Sequence, residues 1–314
     1  MRNYAETYLQ PLAAGLLALV TLIGFIGPAI KSPSPHDIPI GIVEAGSSQT
    51  VFAPNGPFSV TVYDSEQAAR QAIDSRDIDG ALVIGPSGPK LIVAGAAGDA
   101  VTGVITGAFT QLFQKQGQAL TVEVVHPFAP GDPHGLILFF VVLAILVSTL
   151  IANALAGLRP KRGFASRLLI VLVFAVVAAP VAMGVATWIA GDYGSGLWTA
   201  TALIALGSAA VGAVVAGAAR LLGRPGVVLA ALIAVLLDLV CSGGPIGSQL
   251  LPDAYRWLAP GMPAGQLYSA IRRALYFDAA GLTAPITVLV LWLAGGILLL
   301  LLGELVARRR AAHG

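Results

Sequence analysis

The sequence predicts an α-helical polytopic membrane protein with six transmembrane helices and a small extracytoplasmic α/β domain inserted between helices 1 and 2. Three observations predict it. The 314 residues are 56% hydrophobic and only 11% charged, whereas an ordinary soluble domain carries about 25% charge. Six apolar windows, at about 11–30, 135–158, 167–190, 197–219, 226–242 and 284–306, reach or approach the ~20 residues that cross a bilayer. The connections between them alternate in charge. Arg2, Arg159, Lys161, Arg162, Arg167, Arg220, Arg224, Arg308, Arg309 and Arg310 gather in or beside 1–10, 159–166, 220–225 and 307–314, where the acids are Glu6 and Glu304. The long interval 31–134 instead holds ten acidic residues and, beyond Lys31 at the helix end, four basic ones. This positive-inside pattern predicts a multi-pass protein of the bacterial plasma membrane, with both termini cytoplasmic and residues 31–134 extracytoplasmic.

The segments follow from these boundaries. Residues 1–30 form the cytoplasmic N-terminus and first helix. The flank MRNYAETYLQ carries one Arg and one Glu, and LAAGLLALVTLIGFIGPAI is long for a signal-peptide core. A retained first helix is expected; a cleaved one would leave five helices and put the two ends on opposite sides.

Residues 31–134 form the α/β domain, entered through the Pro-rich KSPSPHDIPI. GIVEAG (41–46) and SVTVY (59–63) read as strands. Asp64 or Ser65 then caps a short helix with Glu66 in its first turn and Ala68, Ala69, Ala72 and Ile73 on one face. ALVIG (81–85) and KLIVAG (90–95) are strands joined by the turn PSGP. A second helix over about 99–119 places Val101, Val104, Ile105, Ala108, Phe109, Leu112 and Phe113 at helical spacing. TVEVV (121–125) is the last strand. The order is β, β, α, β, β, α, β. Cys241 is the only cysteine, so this domain folds without disulfides.

No residue set carries enzyme chemistry. The acids Asp64, Glu66, Asp74, Asp77 and Asp79 lack calcium-loop spacing and read as a solvated, capping face. His36, His126, His134 and His313 are scattered and read as polar surface residues, with no Cys–His zinc cluster. GPSGPK (85–90) lacks the phosphate-loop pattern, and no Walker, His-Glu-x-x-His or Gly-x-Ser-x-Gly motif occurs. No catalytic residue, resident cofactor, metal or nucleic-acid partner is expected in this chain.

Residues 135–306 form the five-helix membrane domain, followed by the basic tail 307–314. GVATWIAG and GSAAVGAVVAG offer small-residue faces for close helix packing. Polar residues are sparse. Asn153 reads as a helix–helix hydrogen bond or end-of-helix residue, and Glu304 as an interfacial pair with Arg308 at i+4. Asp238, in VLLDLVCSGGP, is the sharpest candidate for transport or coupling, because an intramembrane carboxylate is costly; the alternatives are a bond to neighbouring backbone or a place at the bundle opening. Ser242-Gly243-Gly244-Pro245 breaks the fifth helix. Residues 243–277 then form an external re-entrant or interfacial segment. Tyr255 and Trp257 suit interfacial depth. AGQLYSAIRRALYF reads as an amphipathic helix with Leu267, Ile271, Leu275 and Tyr268 on its apolar side. Arg272 and Arg273 are expected to snorkel to lipid headgroups; contact with an anionic substrate is the other reading.

The stretches GIVEAG, SEQAARQAIDSRDIDGALVIGP, SGGPIG and LLPDAYRWLAPGMPAGQLYSAIRRALYF, with the basic tail, carry a resemblance. In this order they resemble the type-2 ABC transporter permeases, closest in layout to the YhgE/Pip-like branch. The resemblance implies the membrane-spanning permease subunit of an ATP-driven exporter, working as a homodimer or heterodimer with a similar permease. A separate ABC ATP-binding subunit would bind Mg-ATP, and the substrate would be lipidic, amphipathic or envelope-related. The family's coupling helix would fall on residues 1–10 or on GLRPKRGFAS, making Arg159, Lys161 and Arg162 coupling candidates. The alternative is a non-transporting membrane scaffold, receptor or secretion accessory protein.

Overall fold

The computed structural model describes residues 9–31, 33–44, 56–86, 88–157, 163–233 and 238–312. Helix α1 spans Gln10–Lys31. The α/β domain follows as β1 (Ile38–Glu44), β2 (Phe58–Tyr63), α2 (Glu66–Asp74), β3 (Gly80–Gly85), β4 (Gly88–Ala94), α3 (Asp99–Lys115) and β5 (Thr121–Val125). The strands form one sheet in the order β2-β1-β3-β4-β5. Only the hairpin β3/β4 is antiparallel; the other neighbours are parallel.

Each element has a local cause. The Ser65 hydroxyl accepts the Ala68 N–H at 3.2 Å and starts α2. Gly117, at φ +70°, follows the end of α3, which stops earlier than the predicted 119. Alternation then sends neighbouring strand residues to opposite faces. Ala81, Ile92 and Ala94 meet Ala69 and Ile73 of α2. Leu82, Leu91 and Val93 meet Val101, Ile105 and Phe109 of α3. Two residues from far along the chain complete these layers, Phe277 on the α2 side and Leu250 on the α3 side.

Four helical stretches, Leu136–Ala156, Phe164–Ala190, Gly194–Leu222 and Thr283–Arg309, are long and apolar enough to cross a membrane. They lie in helices α4 (Leu136–Gly157), α5 (Phe164–Ala190), α6 (Leu197–Leu222) and α11 (Thr283–Ala312). Helix α1 has a shorter apolar stretch, Leu19–Ala29, below the length of the four spans. The fifth predicted window, 226–242, covers most of α7 (Arg224–Ala231) and all of α8 (Asp238–Cys241), with 234–237 outside the described residues.

Helix α6 is the hub, since 78% of its span is buried against 22% in α5 and α11. Small residues allow that. A Cβ on Gly217 would lie 2.7 Å from Leu299 Cβ, and one on Gly296 would lie 2.5 Å from the Val214 amide nitrogen. The α6 and α11 backbones therefore approach too closely for any side chain at these points. At the end of the bundle away from the sheet, Glu304 accepts from Arg220 at 3.0 Å and from Arg308 at 3.3 Å.

Candidate functional site

The segment after α8 joins the two halves of the molecule. Positive φ angles at Gly243, Gly244 and Gly247 end the helix, and a Cβ on Gly243 would collide with the Gly247 backbone. Short helix α9 (Asp253–Leu258) follows, then α10 (Pro263–Tyr276). Helix α10 buries Leu267, Tyr268, Ile271 and Ala274. Leu267 fills the space over Gly207 of α6. The Tyr268 hydroxyl donates to Gly135 O at 3.1 Å, and the Ala129 N–H donates to Tyr276 Oη at 3.3 Å. So α10 packs among the long helices along one face and is tied to the sheet domain near its C-terminal end.

The N-terminus of α10 explains Asp238. Pro263 brings no N–H, and Met262 offers no capping side chain. Both oxygens of the fully buried Asp238 carboxylate lie 2.8 Å from the Ala264 nitrogen, and the Gly265 N–H also bonds to this carboxylate. A carboxylate at a helix N-terminus satisfies orphan donors and the local positive field together. Asp238 is thus an N-cap supplied from another helix.

The other end of α10 forms the candidate site. A cavity of about 380 Å³ lies between α10, the 242–262 segment and the sheet domain. Its lining includes His36 and the charged residues Asp37, Arg76, Arg256, Arg272 and Arg273. Arg76 pairs with Asp79 at 2.7 Å and stacks over Phe277, with its guanidinium 4.8 Å from the ring centre. The other face of that aromatic cluster holds His126, 4.7 Å from Phe277 and bonded to Asp74 at 2.7 Å. Arg256 pairs with Asp37 and with Asp253.

Arg272 and Arg273 differ from these two. Arg272 crosses Gly98 and donates to Ala97 O at 2.6 Å, with its guanidinium 4.5 Å from the Tyr268 ring centre. Arg273 passes Gly281 and donates to Ala280 O at 3.1 Å. Neither has a carboxylate within ion-pair distance among the described residues. Burial, reinforced by the neighbouring Arg76, lowers both guanidinium pKa values from their ordinary level.

The two arginines expected at lipid headgroups bond to backbone carbonyls of the chain itself. Both arginines point between the two halves of the molecule, because the apolar face of α10 is taken by the long helices and its polar face by the sheet domain. Trp257 is 83% exposed, whereas the Tyr255 hydroxyl donates to Phe25 O of α1 at 2.8 Å. Asn153 is buried and donates to Thr149 O of its own helix. The interhelical bond lies one turn away, between Thr149 and Ser208 at 2.8 Å. Arg159, Lys161 and Arg162 lie outside the described residues. His36, Arg76, Gln249, Arg256 and Ser269 also line the cavity and were not anticipated. The signal for Ser269 was present: Gln266, Ser269 and Arg273 share one face of α10 at i, i+3 and i+7.

A second hollow, about 690 Å³, runs between α4 and α5 and is almost wholly apolar, with Phe140, Val177 and Val181 in its wall. Its side chains suit lipid chains and offer no chemistry. Among the described residues no cluster of His, Cys, Asp and Glu is fit to hold a metal. Comparison with known proteins returns no matching family model, curated protein or solved structure.

Proposed function

We propose that this chain is the membrane-spanning permease subunit of an ATP-driven exporter, paired with a second permease and with a separate ABC subunit that binds Mg-ATP. In this reading the chain crosses the bacterial plasma membrane six times, with both ends cytoplasmic and the sheet domain outside. The observation that carries the proposal is the double attachment of α10. Its apolar face packs on α4, α6 and α11 from Ala264 to Ala274. From its polar face Arg272 bonds to Ala97, while Phe277, just beyond its end, enters the sheet core. A displacement of the bundle is therefore transmitted to the outer domain and its cavity, as alternating exposure of a path requires.

A second reading, a membrane scaffold or secretion accessory protein, draws on the sheet edges. Val62 on β2 is 73% exposed and Val124 on β5 is 53% exposed, and edge strands of this kind invite pairing. Co-purification separates the two. The transporter reading expects an ABC ATPase, encoded nearby, to co-purify with the chain and to gain activity in lipid with added lipids or drugs. Recovery with secretion components alone, and no ATPase stimulation, would overturn it.

A further inference from the structure

Four arginines face one cavity, and among the described residues two of them have a carboxylate at ion-pair distance. Arg76 has Asp79, and Arg256 has Asp37 and Asp253. Arg272 and Arg273 bring two further positive charges whose described partners are backbone carbonyls. The Nε atoms of both, and His36 Nδ1, are buried and have no hydrogen-bond partner among the described residues. All three residues line the same cavity. Both residues are half-buried, and drawing a guanidinium part-way out of water with no carboxylate at ion-pair distance costs free energy. Leaving its donors unmade adds to that. A fold that keeps two such groups adjacent, with Gly98 and Gly281 leaving room for them, is built to receive a negative group from outside the chain.

We propose that this cavity binds the phosphate group of an anionic ligand, with Arg272 and Arg273 as its principal partners. Guanidinium donors are set in a planar fork that fits oxyanions. Four arginines against the three paired carboxylates Asp37, Asp79 and Asp253 leave the cavity net positive, the sign that a phosphate group, at about −1.5 to −2 charges as a monoester near neutral pH, requires. The polar lining Gln249, Gln266 and Ser269 supplies further hydrogen-bonding groups around the charge. A volume of about 380 Å³ leaves space beyond the phosphate itself, so the ligand includes more than the bare ion. The binding site stands on the cavity alone and does not depend on the transporter reading.

The test uses the full chain and two phosphate sources. In detergent, inorganic phosphate is titrated against chloride at equal ionic strength while thermal unfolding is followed. In nanodiscs, phosphatidic acid is compared with phosphatidylcholine. Binding to the folded state alone raises Tm, by about 5 °C at saturation. A shift with inorganic phosphate assigns a soluble ligand, and a shift with phosphatidic acid alone assigns a lipid headgroup. Ser269→Asp places a carboxylate at i→i+3 and i→i+4 from the two arginines. Its unliganded Tm should equal or exceed that of the parent, while the phosphate-dependent shift disappears; a misfolded protein shows no such combination. Arg273→Gln should reduce the shift at least tenfold in phosphate concentration, and it decides the matter if Ser269→Asp does not fold. No shift from either source, or equal shifts in the parent and in Ser269→Asp (in Arg273→Gln, should that variant decide), overturns the proposal.

Discussion

Replacing Asp238 with Ala should open the joint between α8 and α10. The carboxylate bonds the Ala264 and Gly265 N–H groups in a site closed to water. Losing an N-cap costs about 1–2 kcal/mol, and a buried donor left unsatisfied costs about 1–3 kcal/mol. These overlap, so about 2–4 kcal/mol is expected for the pair. The chain supplies its own reporter, since Cys241 is its only cysteine, lies three residues from Asp238 and is fully buried. Where reclosing outruns the thiol reagent, labelling follows the local opening equilibrium. At about 1.4 kcal/mol per decade, Asp238→Ala should label Cys241 roughly 30-fold to 1000-fold faster. Asp238→Asn keeps an acceptor oxygen and the side-chain shape but loses the charge, so its acceleration should be several-fold only. Wild-type labelling in the Ala variant, or faster labelling in Asn than in Ala, would refute the cap. A coupling role makes a different demand: Asp238→Asn would abolish coupled transport, and unchanged transport would reject that role.

Two further outcomes follow from the packing and the surface charges. Gly296→Val should abolish folded yield, because its Cβ meets the α6 backbone, whereas Gly295→Val meets nothing within 4 Å and should be tolerated; size-exclusion profiles of the two variants decide it. In the sheet domain, the Lys90 and Arg70 hydrogen bonds hold the Glu66 carboxyl below its ordinary pKa, and the Arg70 bond does the same for Glu123. A depressed carboxylate stabilises the fold fully above the unfolded value of about 4.3 and loses that contribution as pH falls through the folded value. These side chains are about a third exposed, so the loss should stay below about 1 kcal/mol. Protection factors of the β4 and β5 amides, with the pH dependence of intrinsic amide exchange divided out, should fall below about pH 4.3 in the parent and change less in Glu66→Gln.

The sequence carried the local elements well and their assembly poorly. Period-two runs and the Ser65 cap were enough to order the seven elements of the outer domain. Pro39 obscured the start of β1, which sits between β2 and β3, where a proline is unusual. The apolar side of α10 was legible from Leu267, Tyr268 and Ile271, and all three are buried. The destination of its polar side was not legible. Arg272 meets Ala97 across 175 residues of chain, and no local pattern encodes a partner at that distance. Asp238 was noticed as a costly charge, but its cause lay elsewhere, in a helix that begins with Pro263 and lacks a cap of its own.

Those two sites sharpen what a buried charge signifies. Asp132, 3% exposed, accepts the Ile137 N–H at 3.1 Å and serves the first turn of α4. Asp238 does the same for α10 from a different helix. In both, the carboxyl oxygens accept helix N–H groups that would otherwise be orphaned. Such charges are explained by the fold, and removing one should weaken the fold first. Arg272 and Arg273 are matched only in part: some donors reach carbonyls, and among the described residues the Nε donors reach no partner and no carboxylate lies within ion-pair distance. The fold bears that cost without recovering it internally. Counting partners around each buried charge therefore separates the carboxylate that holds the structure together from the arginine pair that awaits a ligand, a distinction that residue type and membrane depth do not make.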